Sequence, residues 1–136
     1  MIKKDLLRAY HNTTYRAFIR GEMVDIRIGM KHARLDAIAP WAFVSACNPA
    51  SRRSDDNPER HQALIEKLGC MGYAFHPGIG VPDEEGWIAE ESVLVSGMTE
   101  ADAILVGREF GQNAIVVGEA NLEARLVFCV RGSLDF

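Results

Sequence analysis

No apolar run in this chain approaches the ~18 residues that a membrane-spanning helix needs. The first residues, Met1-Ile2-Lys3-Lys4-Asp5, are charged, but no apolar stretch follows them to complete a secretory signal, so a cytoplasmic protein is expected. Cysteine is scarce and odd in number: Cys47, Cys70 and Cys129, with no C-x-x-C pair. That excludes a disulfide framework and a structural zinc site of the usual spacing, and leaves free, buried or half-buried thiols as the expectation. The four histidines, His11, His32, His61 and His76, lack metal-ligand spacing. Gly78-Ile79-Gly80 is followed by no helix, so the arrangement that lets a glycine-rich loop hold phosphates is missing. Internal repeats and low-complexity tracts are absent too. Neither a cofactor nor a metal is called for.

What remains is ordinary globular material. The 136 residues suit one domain spanning 1–136, and 48% hydrophobic content is enough for a single core without staples. Charge is spread unevenly. Residues 1–60 hold 11 Lys and Arg against 7 Asp and Glu, whereas 61–136 hold 4 against 12. Such a split fits a basic face for an anionic partner, or two halves that interleave in space. The net charge of −4 speaks against general nucleic-acid binding.

Periodicity supplies the elements. Lys3–Tyr10 reads as a short helix, and Tyr15–Ile28 as a hairpin turning at Gly21, with Val24, Ile26 and Ile28 alternating with Asp25 and Arg27. Lys31–Ile38 has room for one or two helical turns before Pro40. Trp41–Cys47 is apolar on both faces and reads as a central strand. A helix follows, with Asn57 as N-cap, Pro58 at its first position and Gly69 just past its end; Ser54 is the rival cap. Gly72–His76 is a strand, Pro77–Pro82 and Asp83–Gly86 a loop, and Trp87–Val95 the hairpin partner of that strand. Thr99 opens a helix that runs to Phe110 and stops at Gly111, with Glu100 and Asp102 in its positive first turn. Asn113–Val117 and Ala124–Val130 close the chain as strands. The expected fold is therefore α+β: a mostly antiparallel sheet with a split β-α-β-β-α-β core, both helices on one face, extended by the N-terminal helix and hairpin and by a C-terminal strand.

Several spaced motifs resemble those of a known group. They are Tyr10-x-x-Thr13-x-Tyr15, Trp41-Ala42-Phe43-Val44-Ser45-Ala46-Cys47-Asn48-Pro49, Asn57-x-x-Arg60-x-x-x-Leu64, Trp87-x-x-Glu90-x-Ser92 and Phe110-Gly111-Gln112-Asn113-Ala114-Ile115. In order and spacing, from Tyr10 to Val117, they are similar to a small bacterial domain family of unknown function found mostly in proteobacteria. In that family a Thr is usual where Ser45 stands, and Pro58 interrupts a segment expected to be helical already, which leaves the helix start open. The resemblance implies a grouping and brings no activity, cofactor or partner with it.

Chemistry concentrates at the junction between the central strand and the following helix. Asn48, Ser51, Arg52, Arg53, Asn57 and Arg60 bring amides, a hydroxyl and guanidiniums to a helix N-terminus, a composition suited to carboxylate or phosphate. The same residues also serve to lock a loop through Asx-turns and a cap. Glu90 and Ser92 share one face of a strand, where a carboxylate beside a hydroxyl acts as a general base or binds an amine. An exposed Glu90 paired with Arg60 or another Arg across the sheet is the plainer alternative. Gln112, just past a helix end, either meets a ligand or ties loose backbone groups. A Cys47 nucleophile paired with His61 or His76 is a more distant option.

Three functions compete on these residues. The first is a ligand-binding or interaction module for a small anionic ligand or a protein, its site made by Asn48, Ser51, Asn57, Arg60, Glu90, Ser92 and Gln112. The second is a hydrolase- or transferase-like enzyme on a phosphate or nucleotide substrate, with Glu90 as general base and Arg60 stabilising negative charge. The third is an accessory protein that forms homo-oligomers through its apolar C-terminal strands.

Overall fold

The computed structural model describes residues 4–48, 54–85 and 88–129. Its elements are α1 (Lys4–His11), β1 (Thr13–Ile19), β2 (Glu22–Ile26), α2 (Ala33–Asp36), β3 (Trp41–Val44), α3 (Asn57–Met71), β4 (Phe75–Pro82), β5 (Glu90–Ser96), α4 (Glu100–Glu109), β6 (Ala114–Gly118) and β7 (Arg125–Phe128). The strands form one sheet in the order β2-β1-β4-β5-β3-β6-β7, and every pairing is antiparallel. From β3 to β6 this is the split β-α-β arrangement that the element order predicts, an α+β fold. The N-terminal hairpin, turning at Arg20-Gly21, adds two strands beside β4, and β7 adds one beside β6.

Two cores lie on opposite faces of the sheet. On one, Leu64 and Leu68 of α3 and Ala103 and Val106 of α4 pack on Ala42, Val44, Val93, Val95, Ile115 and Val117. On the other, Trp41, Phe43, Leu94 and Val116 meet Tyr15, Ala17, Val24, Ile26 and Leu35. Strand β3 feeds both, so all four of its residues are buried, which is why its sequence is apolar without alternation. α2 covers only the Trp41 end of the second face. The Ser45 end is roofed instead by α1, whose last carbonyls accept the hydroxyls of Thr13 (onto Ala9, 2.6 Å) and Tyr15 (onto Tyr10, 2.7 Å).

Local details depart from the sequence expectations. Pro77–Pro82 is strand β4, not a loop. Each proline stands where only one neighbouring strand pairs: Pro77 lies beyond the β1 register and Pro82 beyond the β5 register. Gly78 is required because a Cβ there would sit 2.9 Å from the Phe43 ring. α3 runs past Gly69 to Met71 and ends at Gly72, which takes the left-handed conformation (φ 82°). Its N-cap position falls to Asp56, because the Asn57 side chain is used elsewhere. α4 keeps its expected punctuation, Thr99 accepting from the Asp102 N–H. β5 begins at Glu90; Trp87 and Ser51, with Arg52 and Arg53, lie outside the described residues. The charged halves interleave in part, since Arg8 and Arg27 of the first pair with Glu84 and Asp83 of the second. No helix among the described residues is long and apolar enough to cross a membrane.

Candidate functional site

Asn48 takes a left-handed backbone conformation (φ 50°), which Asn tolerates better than most residues. Its side chain is oriented by partners that can only donate. The Ser54 backbone N–H donates to Asn48 Oδ1 at 3.1 Å, so the oxygen lies on that side and the amide nitrogen must face the other way. There Nδ2 donates to Glu90 Oε2 at 2.6 Å. Asn57 is set by the same logic: its Oδ1 accepts the Asn48 backbone N–H at 2.8 Å, and its Nδ2 therefore donates to Asn48 Oδ1 at 3.0 Å. A loop-to-helix junction thus holds one amide against one carboxylate from the neighbouring β5.

Around that pair lies a cavity of about 340 Å³ on the face that α3 and α4 leave open. The sheet supplies its floor: Tyr15 of β1, Phe43 and Ser45 of β3 and its continuation, Gly80 of β4, Glu90 and Ser92 of β5, Ala114 and Val116 of β6. These are alternate residues of each strand, so one sheet face carries them all. Leu6 and Tyr10 of α1 form the roof, Ile88 one rim, and Asn48 with Gln112 the polar end. Tyr15 and Phe43 meet edge to face at 5.3 Å. Ser92 and Gln112, 2 % and 8 % exposed, are the buried polar residues among those described, and both line this cavity.

Burial pushes the Glu90 carboxyl above the usual carboxylate range, and the Asn48 hydrogen bond draws it partway back. Among the described residues no Lys, Arg or His pairs with it. Tyr15 is raised as well, by burial first and then by Tyr10, with Glu90 adding to it. Because the folded pKa of Glu90 lies above its unfolded value, its contribution favours folding below the unfolded value and is lost as pH rises through the folded one. Glu90→Gln, which keeps an acceptor for Asn48, is accordingly expected to melt higher than the parent near pH 8 and to match it near pH 4. A constant offset across that range, measured by thermal denaturation, would show that Glu90 is not strained by burial.

Of the residues singled out from the sequence, Asn48, Glu90, Ser92 and Gln112 line the cavity, and Asn57 braces Asn48 from behind. Arg60 does not reach it. Its Nε donates to the Ala46 carbonyl at 2.7 Å and its Nη2 to the Phe110 carbonyl at 2.5 Å, so the guanidinium is spent on backbone. Among the described residues Glu90 is met by Asn48, and neither Arg60 nor another described Arg pairs with it. Cys47 is no activated nucleophile: burial raises its pKa, the reverse of what a thiolate requires, and its thiol points to the Glu91 carbonyl. His61 approaches Glu91 (3.7 Å), which points away from the cavity, and His76 sits by the Ser96 hydroxyl. Of the C-terminal strands, β6 is covered on both sides; among the described strands β2 and β7 form the edges. Tyr10, Tyr15, Phe43, Gly80 and Ile88 were not legible as a site wall. The Tyr10-x-x-Thr13-x-Tyr15 spacing and the Trp41–Pro49 motif were the visible signals for Tyr10, Tyr15 and Phe43.

Fold and cavity together define a split β-α-β sheet domain with a small-molecule-sized hollow on its helix-free face. The chain belongs to the family described as "Protein of unknown function (DUF3293)", which matches residues 44–115. The matched stretch holds Asn48, Asn57, Arg60, Gly80, Glu90, Ser92 and Gln112; α1, β1 and Phe43 lie before it. No curated protein and no solved structure matches the chain.

Proposed function

We propose that this protein is a small-molecule-binding domain whose ligand enters the cavity between α1 and the sheet and bonds to Glu90. The observation that carries this is a half-buried carboxylate held by one neutral amide, in a largely apolar cavity, with no counter-cation among the described residues. Leaving such a group half-satisfied costs stability, and a pocket at the small end of the usual ~300–1,000 Å³ range gives that cost a purpose. An anionic ligand, the sequence-based expectation, finds no cation in the described wall, and Arg60 is committed elsewhere. The enzyme alternative keeps one support, since a burial-raised Glu90 is suited to general-base work. A phosphate or nucleotide substrate meets the same lack of cations. Three unpaired cysteines, Cys47, Cys70 and Cys129, support a reducing compartment such as the cytoplasm.

Gly80 offers a clean test. It stands opposite both Tyr15 and Glu90, and a Cβ added there meets only Thr13 Cγ2 at 3.8 Å and the Glu90 carbonyl at 4.0 Å. A leucine side chain at this position projects into the cavity rather than into packed atoms. Gly80→Leu is expected to fold normally and to weaken, by about tenfold or more, any compound that raises the melting midpoint of the parent in a small-molecule screen. Compounds that stabilise parent and variant equally, or none at all, would remove the cavity as the binding site.

A further inference from the structure

The hydrogen-bond commitments around the cavity restrict the chemistry of its ligand. A hydroxyl has one proton, and a carbonyl can only accept. Thr13 gives its proton to the Ala9 carbonyl, Tyr15 to Tyr10, Ser45 to Glu91 and Ser92 to Glu90. Each of these hydroxyls therefore has only lone pairs left for a guest. Gln112 follows the same rule. Its partners are the carbonyls of Cys47 (3.0 Å) and Phe110 (3.3 Å), so its NH₂ is spent and its oxygen is the atom left over. As a carboxylate Glu90 only accepts, and the second of its oxygens has no donor among the described residues.

Charge points the same way. Glu90 is the one ionisable acid or base among the described residues that line the cavity, tyrosines aside. Apart from the hydroxyls and amides already named, the wall is mostly apolar or aromatic, with Leu6, Tyr10, Tyr15, Phe43, Ile88 and Val116. A wall rich in acceptors, with one negative charge and aromatic rings, is complementary to a positively charged donor on an apolar body. We infer that the ligand of this cavity is an organic cation, a small aromatic or aliphatic body carrying one protonated amine that docks on the Glu90 carboxylate. The inference rests on the ligand-binding reading above and narrows it to a class. An ammonium supplies three donors where the wall supplies acceptors, and it cancels the charge on Glu90. A carboxylate ligand would add a second negative charge beside Glu90. An alcohol would satisfy a hydrogen bond and leave the charge as it was.

Matched probes decide the matter. Phenethylamine, phenethyl alcohol and hydrocinnamate share a body and differ in the terminal group; their cyclohexyl counterparts extend the set. Titrated into the full chain near neutral pH and followed by protein-observed NMR, the amines are expected to bind about tenfold or more tighter than the alcohols, and the carboxylates weakest. Glu90→Gln, which keeps the Asn48 hydrogen bond, is expected to abolish the preference for the amine while leaving alcohol affinity within about twofold. Gly80→Leu is expected to remove all binding. If alcohols or carboxylates bind best and Gly80→Leu blocks them, the cavity stands as a site and the cationic class is overturned. If no probe binds, or Gly80→Leu leaves binding intact, the site reading falls and the inference with it.

Discussion

Asn48→Ala is expected to lower the unfolding free energy by about 3 kcal/mol, through two separable losses. The larger is polar. The Ser54 N–H and the Asn57 amide lose their shared acceptor, and the half-buried Glu90 loses the donor at 2.6 Å. The smaller is conformational, since alanine tolerates φ 50° less well than asparagine, by about 1 kcal/mol that glycine avoids. Urea denaturation of Asn48→Ala beside Asn48→Gly separates the two: glycine should recover about 1 kcal/mol and no more. Asn48→Asp keeps the acceptor for Ser54 but sets a second carboxylate against Glu90, so it should suffer most near neutral pH and recover on acidification. An Asn48→Ala protein within about 0.5 kcal/mol of the parent would mean that the junction is held by something other than this amide.

Arg60→Met should cost a similar amount, about 3 kcal/mol, while leaving ligand affinity per folded molecule unchanged. Methionine retains much of the apolar stem and removes the fork that joins the carbonyl of Ala46, beyond β3, to that of Phe110, at the end of α4. Both residues are buried, so both carbonyls would be left without this partner. Lysine should rescue little, because one ammonium does not reproduce two donors in a fixed plane. Loss of binding with stability intact would return Arg60 to the ligand role that its place in the sequence suggests.

The same residue shows why sites are harder to read than elements. Arginine, asparagine and a helix start in one short stretch suit anion capture, and nothing in the chain order reveals that the guanidinium turns back onto two carbonyls. Asn48 and Glu90 lie 42 residues apart, and their contact exists because β3 and β5 pair in the register Val44 opposite Val93. β4 shows the converse problem at the level of elements. Two prolines and two glycines read locally as a loop, but the prolines fall where pairing is one-sided and Gly78 makes room for Phe43. By contrast, Trp41–Val44 was legible because a strand buried on both faces must be apolar throughout. Glu100–Glu109 was legible because Thr99 and Gly111 are local signals for its ends.

Sequence alone therefore determined the α+β class with its split β-α-β core and the face periodicities of its strands and helices, and it named Asn48, Glu90, Ser92 and Gln112 as polar candidates. Those features depend on neighbours in the chain, where capping and alternation operate. The tertiary structure decided that Arg60 is a clamp, that α1 and β1 supply the aromatic wall, and which lone pairs remain for a guest. Burial and hydrogen-bond commitment are set by strand order and register, which bring distant segments together and are written in no single stretch of the chain.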